Sequence, residues 1–370
     1  MEVRKYGTVR AQLIQLREWL KSAGCTHVVM ESTGCYWKPI LNVLEDDPEF
    51  QLHIIVANSQ QVKAITGHKT DPHDARWLAH LLRHGMIRPS FIPSRAVRDL
   101  RDLTRRRKQM IETGSEERNR IQRVLEDANV KIGDVLSDVF GLSGQLMLEA
   151  LLEGKATHLE IAQLAKRGAR KKISELEAAL EGHQMRNTHR VLISNALRHM
   201  AFLEREIEQL DSEITKLIRE AGLEPQWKLL QTIPGIRETA AATMLAESGG
   251  DMKQFPAPSN FSSWSGVAPG NNESAGVKRR APTLRGNPHM KAALVESGWS
   301  ASRTKNSEFQ CNYERLKPRI GHRRAIVAAA HALALVVYQV LATAQPYQPR
   351  QPGFTPRELN RLRRHHSRRL

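Results

Sequence analysis

The stretch Thr26-His27-Val28-Val29-Met30-Glu31-Ser32-Thr33-Gly34 sets the class of fold. Its short apolar run, bounded by a Ser-Thr-Gly turn, predicts a buried strand that ends at Glu31. A helix is expected from about Tyr36 to Leu44, and a second strand from Leu52 to Ala57. Strands alternating with helices predict an α/β sheet, in which functional groups gather beyond the C-terminal ends of the strands. Glu31 stands at such an end.

Downstream, Asp71-Pro72-His73-Asp74-Ala75 has the composition of a helix start, with Asp as cap and Pro at the first helical position. The helix is expected to reach about His84, Gly85 stopping it, and Pro89 to Pro93 to be a linker. Asp71 and Asp74 are spaced so that both carboxylates can share one side of that helix, towards Glu31. Clustered carboxylates suit a hard cation such as Mg²⁺ bridging to phosphate, which is the equipment of phosphoryl transfer. The spacing equally fits a plainer account in which Asp71 caps, Asp74 complements the helix dipole and Glu31 is an ordinary loop acid. His80 and His84, on the same helix, read as exposed side chains rather than ligands.

From Ser94 to about Ala128 a long helix carries a basic face that includes Arg105, Arg106, Arg107 and Lys108, interleaved with Val97, Leu100, Leu103, Ile111 and Ile121. A second long helix places Ile193, Ala196, Met200, Leu203, Ile207, Leu210, Ile214 and Leu217 in steps of three and four. That pattern predicts a helical hairpin or coiled coil, with a dimer contact as one use of it. The stretch between them, Lys131 to Arg190, reads as a helical insertion without chemistry of its own.

With 56 Lys+Arg against 39 Asp+Glu the net charge is +17, which points to nucleic acid as partner and to binding that weakens as salt rises. Cys25, Cys35 and Cys311 have no zinc spacing and form no paired framework, so a reducing cytoplasm is expected. Ala325 to Thr343, interrupted by His331 and Gln339, is expected to be a buried core helix, and no membrane partner is expected. The tail from Pro346 to Leu370, mixing Pro with Arg, is expected to be disordered and electrostatic.

Two further segments carry chemistry. Pro234 and Gly235 form a turn between two helical stretches that looks like a helix-hairpin-helix, whose N–H groups grip a backbone phosphate; a plain turn with small residues for close packing fits as well. Ser263-Trp264-Ser265-Gly266 through Asn271-Asn272-Glu273-Ser274-Ala275-Gly276 runs into Lys278, Arg279 and Arg280. A serine beside clustered cations can attack a phosphodiester, and Ser274 is the best placed, although serine is also an ordinary turn residue.

Taken in order, Val28 to Gly34, His68 to Ala75, Ile233-Pro234-Gly235-Ile236 and the Ser263 to Gly276 segment resemble the transposases of the insertion-sequence 110 family, from about Val3 to Tyr347. The resemblance implies an α/β plus mainly α chain. A RuvC-like, RNase H-fold domain at 1–92 would be followed by long helices or coiled coil at 93–222. A helical C-terminal transposase domain at 223–345 and a basic tail at 346–370 would complete it. It further implies that Glu31, Asp71 and Asp74 match the last three carboxylates of an Asp-Glu-Asp-Asp quartet holding Mg²⁺. Ser274 matches a nucleophile that links covalently to DNA, in a site drawn from both domains. Partners implied are DNA, a structured RNA encoded by the element and further copies of the chain. The first Asp of the quartet belongs on an opening strand, and no Asp precedes Glu31. The expectation is therefore a chain lacking that strand, beginning at a later one over Glu2 to Tyr6, and impaired in catalysis. Two other functions fit the same residues: a RuvC-like nuclease or junction resolvase using metal and water alone, and an inactive remnant that only binds nucleic acid.

Overall fold

The computed structural model describes residues 2–349 apart from 33, 48, 58–70, 88, 272, 275 and 279–280, with the backbone alone at 71–74, 89, 273–274 and 277–278. The tail beyond 349 lies outside the described residues. The chain divides into two compact units, Met1–Pro93 and Ser94–Leu370.

The first unit runs α1 (Arg10–Ser22), β1 (His27–Glu31), α2 (Trp37–Glu45), β2 (His53–Ala57), α3 (Asp71–Arg83) and the short β3 (Pro89–Ser90). β1 and β2 are parallel, with His27 opposite His53 and Glu31 opposite Ala57, and β3 pairs antiparallel with the end of β2. Met30, Leu41 and Val56 form the core, with Val28, Trp37, Ile40, Ile54 and Ile92 packed around it. The short apolar runs thus make the expected alternation of strand and helix. α3 ends where Gly85, at φ 65°, lets the chain turn back and its N–H and that of Met86 bond to Leu82 and Leu81.

Two expectations change. Glu2 to Tyr6 is not a strand: it pairs with none of the described strands, and a strand without a hydrogen-bonding neighbour has no ladder to hold it. Pro89 to Pro93 is not wholly a linker, because Pro89 and Ser90 close the edge of the sheet, the position at which proline costs no ladder bond.

The second unit is helical. It runs α4 (Arg95–Asp127), α5 (Ile132–Val135), α6 (Leu142–Glu153), α7 (His158–Ala162), a 3₁₀ turn (Arg167–Lys172), α8 (Ile173–Leu180), α9 (Asn187–Glu220), α10 (Glu224–Gln231), α11 (Glu238–Ser248) and α12 (Pro258–Trp264). A hairpin of β4 (Glu273–Ser274) and β5 (Val277–Lys278) follows, then α13 (Pro288–Ala301), α14 (Glu308–Ile320) and α15 (His322–Thr343). α4 and α9, 33 and 34 residues long, pack antiparallel, since Arg107 pairs with Asp211 while Glu117 meets His199. At about 1.5 Å per residue each spans roughly 50 Å.

This helix pair carries a core at each end. At its tip Ile121, Leu125, Ile193 and Ala196 join Ile132, Met147, Leu148, Leu151, Ile161, Leu176 and Leu180 of the insertion. At its base Leu100, Ile214 and Ile218 join the main core, built around Leu333, Ala334 and Val337 of α15 together with Phe261, Met290 and Leu294. α15 is long and apolar enough to cross a membrane, and in this structure it is the central helix of that core.

Gly114 lies midway along α4 with no atom within 4 Å of where a Cβ would sit. Gly114→Ala is therefore expected to raise the stability of the second unit by roughly 0.4–1 kcal/mol, read as a higher denaturant midpoint at unchanged slope.

Candidate active site

Glu31 is the last residue of β1, half-buried, and the chain leaving it is tied to the neighbouring strand by Ser32 N–H donating to the Ala57 carbonyl at 2.9 Å. Its carboxylate makes no hydrogen bond or ion pair with any described residue. α3, which packs on β1, begins at Asp71, within one residue of the expected cap. The side chains of Asp71 and Asp74 lie outside the described residues, and among those described no three His, Cys, Asp or Glu groups converge as a metal site. Among the described residues Glu31 thus offers one carboxylate at the C-terminal end of a parallel strand, the kind of hard oxygen ligand a divalent cation takes, on the strand against which α3 packs.

Ser274 stands not in an irregular loop but at the tip of a hairpin, opposite Val277, with Glu273 opposite Lys278. The reason lies at the hairpin's base. There the chain before it and the chain after it run together with no room for side chains: a Cβ on Gly286 would lie 2.3 Å from Gly266 N and 2.4 Å from the Trp264 carbonyl. Asn287 N–H donates to the same Trp264 carbonyl at 2.8 Å, and Lys291 Nζ donates to Thr283 Oγ1 at 2.9 Å. The side chains of Ser274 and Lys278, and all of Arg279 and Arg280, lie outside the described residues.

The base is locked by a charge in the interior. Glu247, at 0% exposure, receives both Nε and Nη2 of Arg105 at 2.8 Å and Nδ2 of Asn287 at 2.7 Å. Arg101 donates to the carbonyls of Ala246 and Glu247 at 3.0 and 2.9 Å, satisfying the end of α11. The Oδ1 of Asn287 in turn accepts from His289 and Met290 N–H and starts α13. Burial pushes the Glu247 carboxyl up, but the hydrogen bonds from Arg105 and Asn287 and the charges of Arg105 and Arg101 outweigh it and hold the carboxyl below its usual range.

Of the basic residues singled out on α4, Arg105 is thus committed to Glu247, and Arg107 to Asp211 at 3.0 Å. Arg106 is exposed and makes no hydrogen bond or ion pair with a described residue. The Pro234-Gly235 turn joins α10 to α11 as expected, with Ile236 N–H bonded back to the Ile233 carbonyl. Gly235, at φ 86°, faces α13, where a Cβ would lie 2.5 Å from Ser297 O and Ala301 N, so close packing accounts for this glycine. Sequence reasoning missed Glu247 and Asn287. The usable signals were an acid in the small, apolar helix Ala240 to Ser248, and Asn-Pro ahead of α13.

Two family descriptions match the chain. One, a DEDD transposase of IS110 elements, covers residues 3–130, which hold β1, α3 and α4; the other, the transposase IS116/IS110/IS902 family, covers 227–314, which hold the serine hairpin and its base. No curated protein matches. A chain carrying both is a DNA transposase, an enzyme of transposition and recombination, with DNA as its partner. It belongs to the IS110 family of insertion-sequence transposases.

Replacing Glu247 by Ala leaves Asn287 and the guanidinium groups of Arg101 and Arg105, whose side chains keep 21% and 35% exposure, without their carboxylate and is expected to cost about 1–3 kcal/mol, read by denaturant unfolding. The pH dependence follows from the lowered carboxyl. The contribution of the wild-type network is complete above the ordinary glutamate value of 4.5 and is lost as pH falls through the lower folded value. The difference in stability between wild type and Glu247→Ala should therefore shrink on acidification below about pH 4.5.

Proposed function

We propose that this transposase breaks and rejoins DNA with Ser274 as nucleophile and a divalent cation, Mg²⁺, at Glu31, Asp71 and Asp74. The observation that carries the reading is the setting of Ser274. It sits beside the turn of a hairpin whose base is fixed by the Gly266–Gly286 contact and by Asn287, and Lys278, Arg279 and Arg280 follow on the returning side of the turn.

Ser274 Oγ attacks the scissile phosphorus and gives up its proton. The bond from phosphorus to the departing strand's oxygen breaks, and that oxygen takes up a proton, so protons balance over the step. The strand is held as a phosphoserine ester until a hydroxyl of the incoming strand displaces Ser274 by the reverse chemistry. The adjacent cations stabilise the charge that builds on the phosphate oxygens. The cation, when bound, supplies Lewis-acid polarisation and charge neutralisation at the phosphate. The carboxylates of Glu31, Asp71 and Asp74 furnish its hard oxygen ligands. The proposed partners beyond DNA are a structured RNA and further copies of the chain, working in the cytoplasm; the exposed Arg106 and the Pro234-Gly235 turn are offered as backbone contacts.

With purified chain and a substrate duplex, Ser274→Ala is expected to abolish the covalent protein–DNA adduct seen on denaturing gels, and Glu31→Gln, Asp71→Asn or a chelator to lower its yield at least about a hundredfold. Adduct persisting in Ser274→Ala would refute the serine mechanism. Cleavage persisting without adduct would instead identify a nuclease that uses metal-activated water.

A further inference from the structure

The insertion carries a charge cluster that the chemistry above leaves unused. Lys166-Arg167-Gly168-Ala169-Arg170-Lys171-Lys172 packs five cations into seven residues without one acid. The fold displays them. Ala165, Leu176 and Leu180 are buried in the tip core, and Ala169 and Ile173 pack against it. The apolar positions therefore face inward while Arg167, Arg170, Lys171 and Lys172 are exposed.

None of Lys166, Arg167, Arg170 or Lys171 makes an ion pair with a described residue, although Glu160, Glu175 and Glu177 lie close by in sequence. Lys172 spends one bond on the Val135 carbonyl at 2.9 Å. The entry to the turn is fixed, because Ser143 Oγ accepts from Lys166 N–H at 2.9 Å and Ala169 N–H closes onto the Lys166 carbonyl at 3.1 Å.

The backbone adds an independent observation. Arg167 has φ 51°, a left-handed conformation that is strained for a long side chain, while Gly168, which would adopt it freely, is the next residue and does not need it. The strained position thus carries a long cationic side chain although a glycine stands beside it, and such strain concentrates at working sites.

We propose that the 166–172 turn is an anchoring site for the sugar-phosphate backbone of duplex DNA, independent of base sequence and separate from Ser274. Guanidinium and ammonium groups with no ion-pair partner among the described residues, on a turn packed against the tip core, are what a phosphate ladder recognises, and gaining it relieves the mutual repulsion of the cluster. DNA is favoured over RNA as occupant because DNA is the partner established for this chain.

The test is fluorescence-anisotropy titration of the full chain with a mixed-sequence DNA duplex over a series of salt concentrations, repeated with an RNA duplex. Each lost phosphate contact removes about 0.9 from the slope of log affinity against log salt. Arg167→Ala/Arg170→Ala/Lys171→Ala is expected to lower the slope on DNA by about two to three and to weaken binding at least about tenfold at low salt. The lysine version, Arg167→Lys/Arg170→Lys, should keep the parental slope, which a packing role for the guanidinium groups would not allow. Arg167→Gly should lose about one unit of slope while melting at a higher temperature than the parent. The same differences should persist in a Ser274→Ala background, so that failure of the serine mechanism leaves this site standing. Parental slope and affinity in the triple alanine variant would overturn the proposal. So would a loss confined to the RNA duplex, or a drop in melting temperature for Arg167→Gly.

Discussion

A carboxylate buried without water is tolerable only if its surroundings neutralise and bond it, and Glu247 makes that demand at the centre of the second unit. Its two oxygens are answered by Arg105 from the long helix α4 and by Asn287 from the cap of α13. Three parts far apart in sequence are fixed by one charge: the basic helix, the end of α11, and the strand of chain that closes the base of the serine hairpin. Leu or Met at the same place would give comparable burial but no direction. The ion pair contributes geometry, because a fork of two parallel bonds from Arg105 admits one orientation of the helix that bears it.

Around that constraint the unit is assembled by packing at close quarters. Gly266 and Gly286 let two backbones touch, Gly235 lets a turn seat on α13, and Gly298 brings α13 within contact of Ala330 on α15. The hairpin with Ser274 has only two residues in each strand, too few to hold itself together in water, so its shape is inherited from its base. The first unit places Glu31 by a different rule, the register of two parallel strands, in which a shift by one residue would move every side chain to the other face.

Much of this was legible in the sequence. The strand at Val28 to Glu31 and the long helices showed themselves through short apolar runs and steps of three and four, patterns that arise within one element. The insertion from Lys131 to Arg190 read as helical but its separate helices did not, because α6 to α8 run only five to twelve residues and their apolar faces are completed by α4 and α9. Arg105 and Arg107 looked like free cations because the acids that hold them lie 142 and 104 positions away. The base of the hairpin escaped for the same reason: Gly286 and Gly266 have meaning only as a pair. Of the candidate site, the residue types and their order could be read; the supporting charge could not.

The two cores of the α4–α9 pair also have a mechanical meaning. Between Thr104 and Glu117 the only buried residue on α4 is Met110, between Leu203 and Ile214 α9 buries none, and Gly114 lies open in the middle. The pair is therefore least packed midway between its two cores, so the alignment of tip and base rests there on the backbone hydrogen bonds of the two helices more than on side-chain packing.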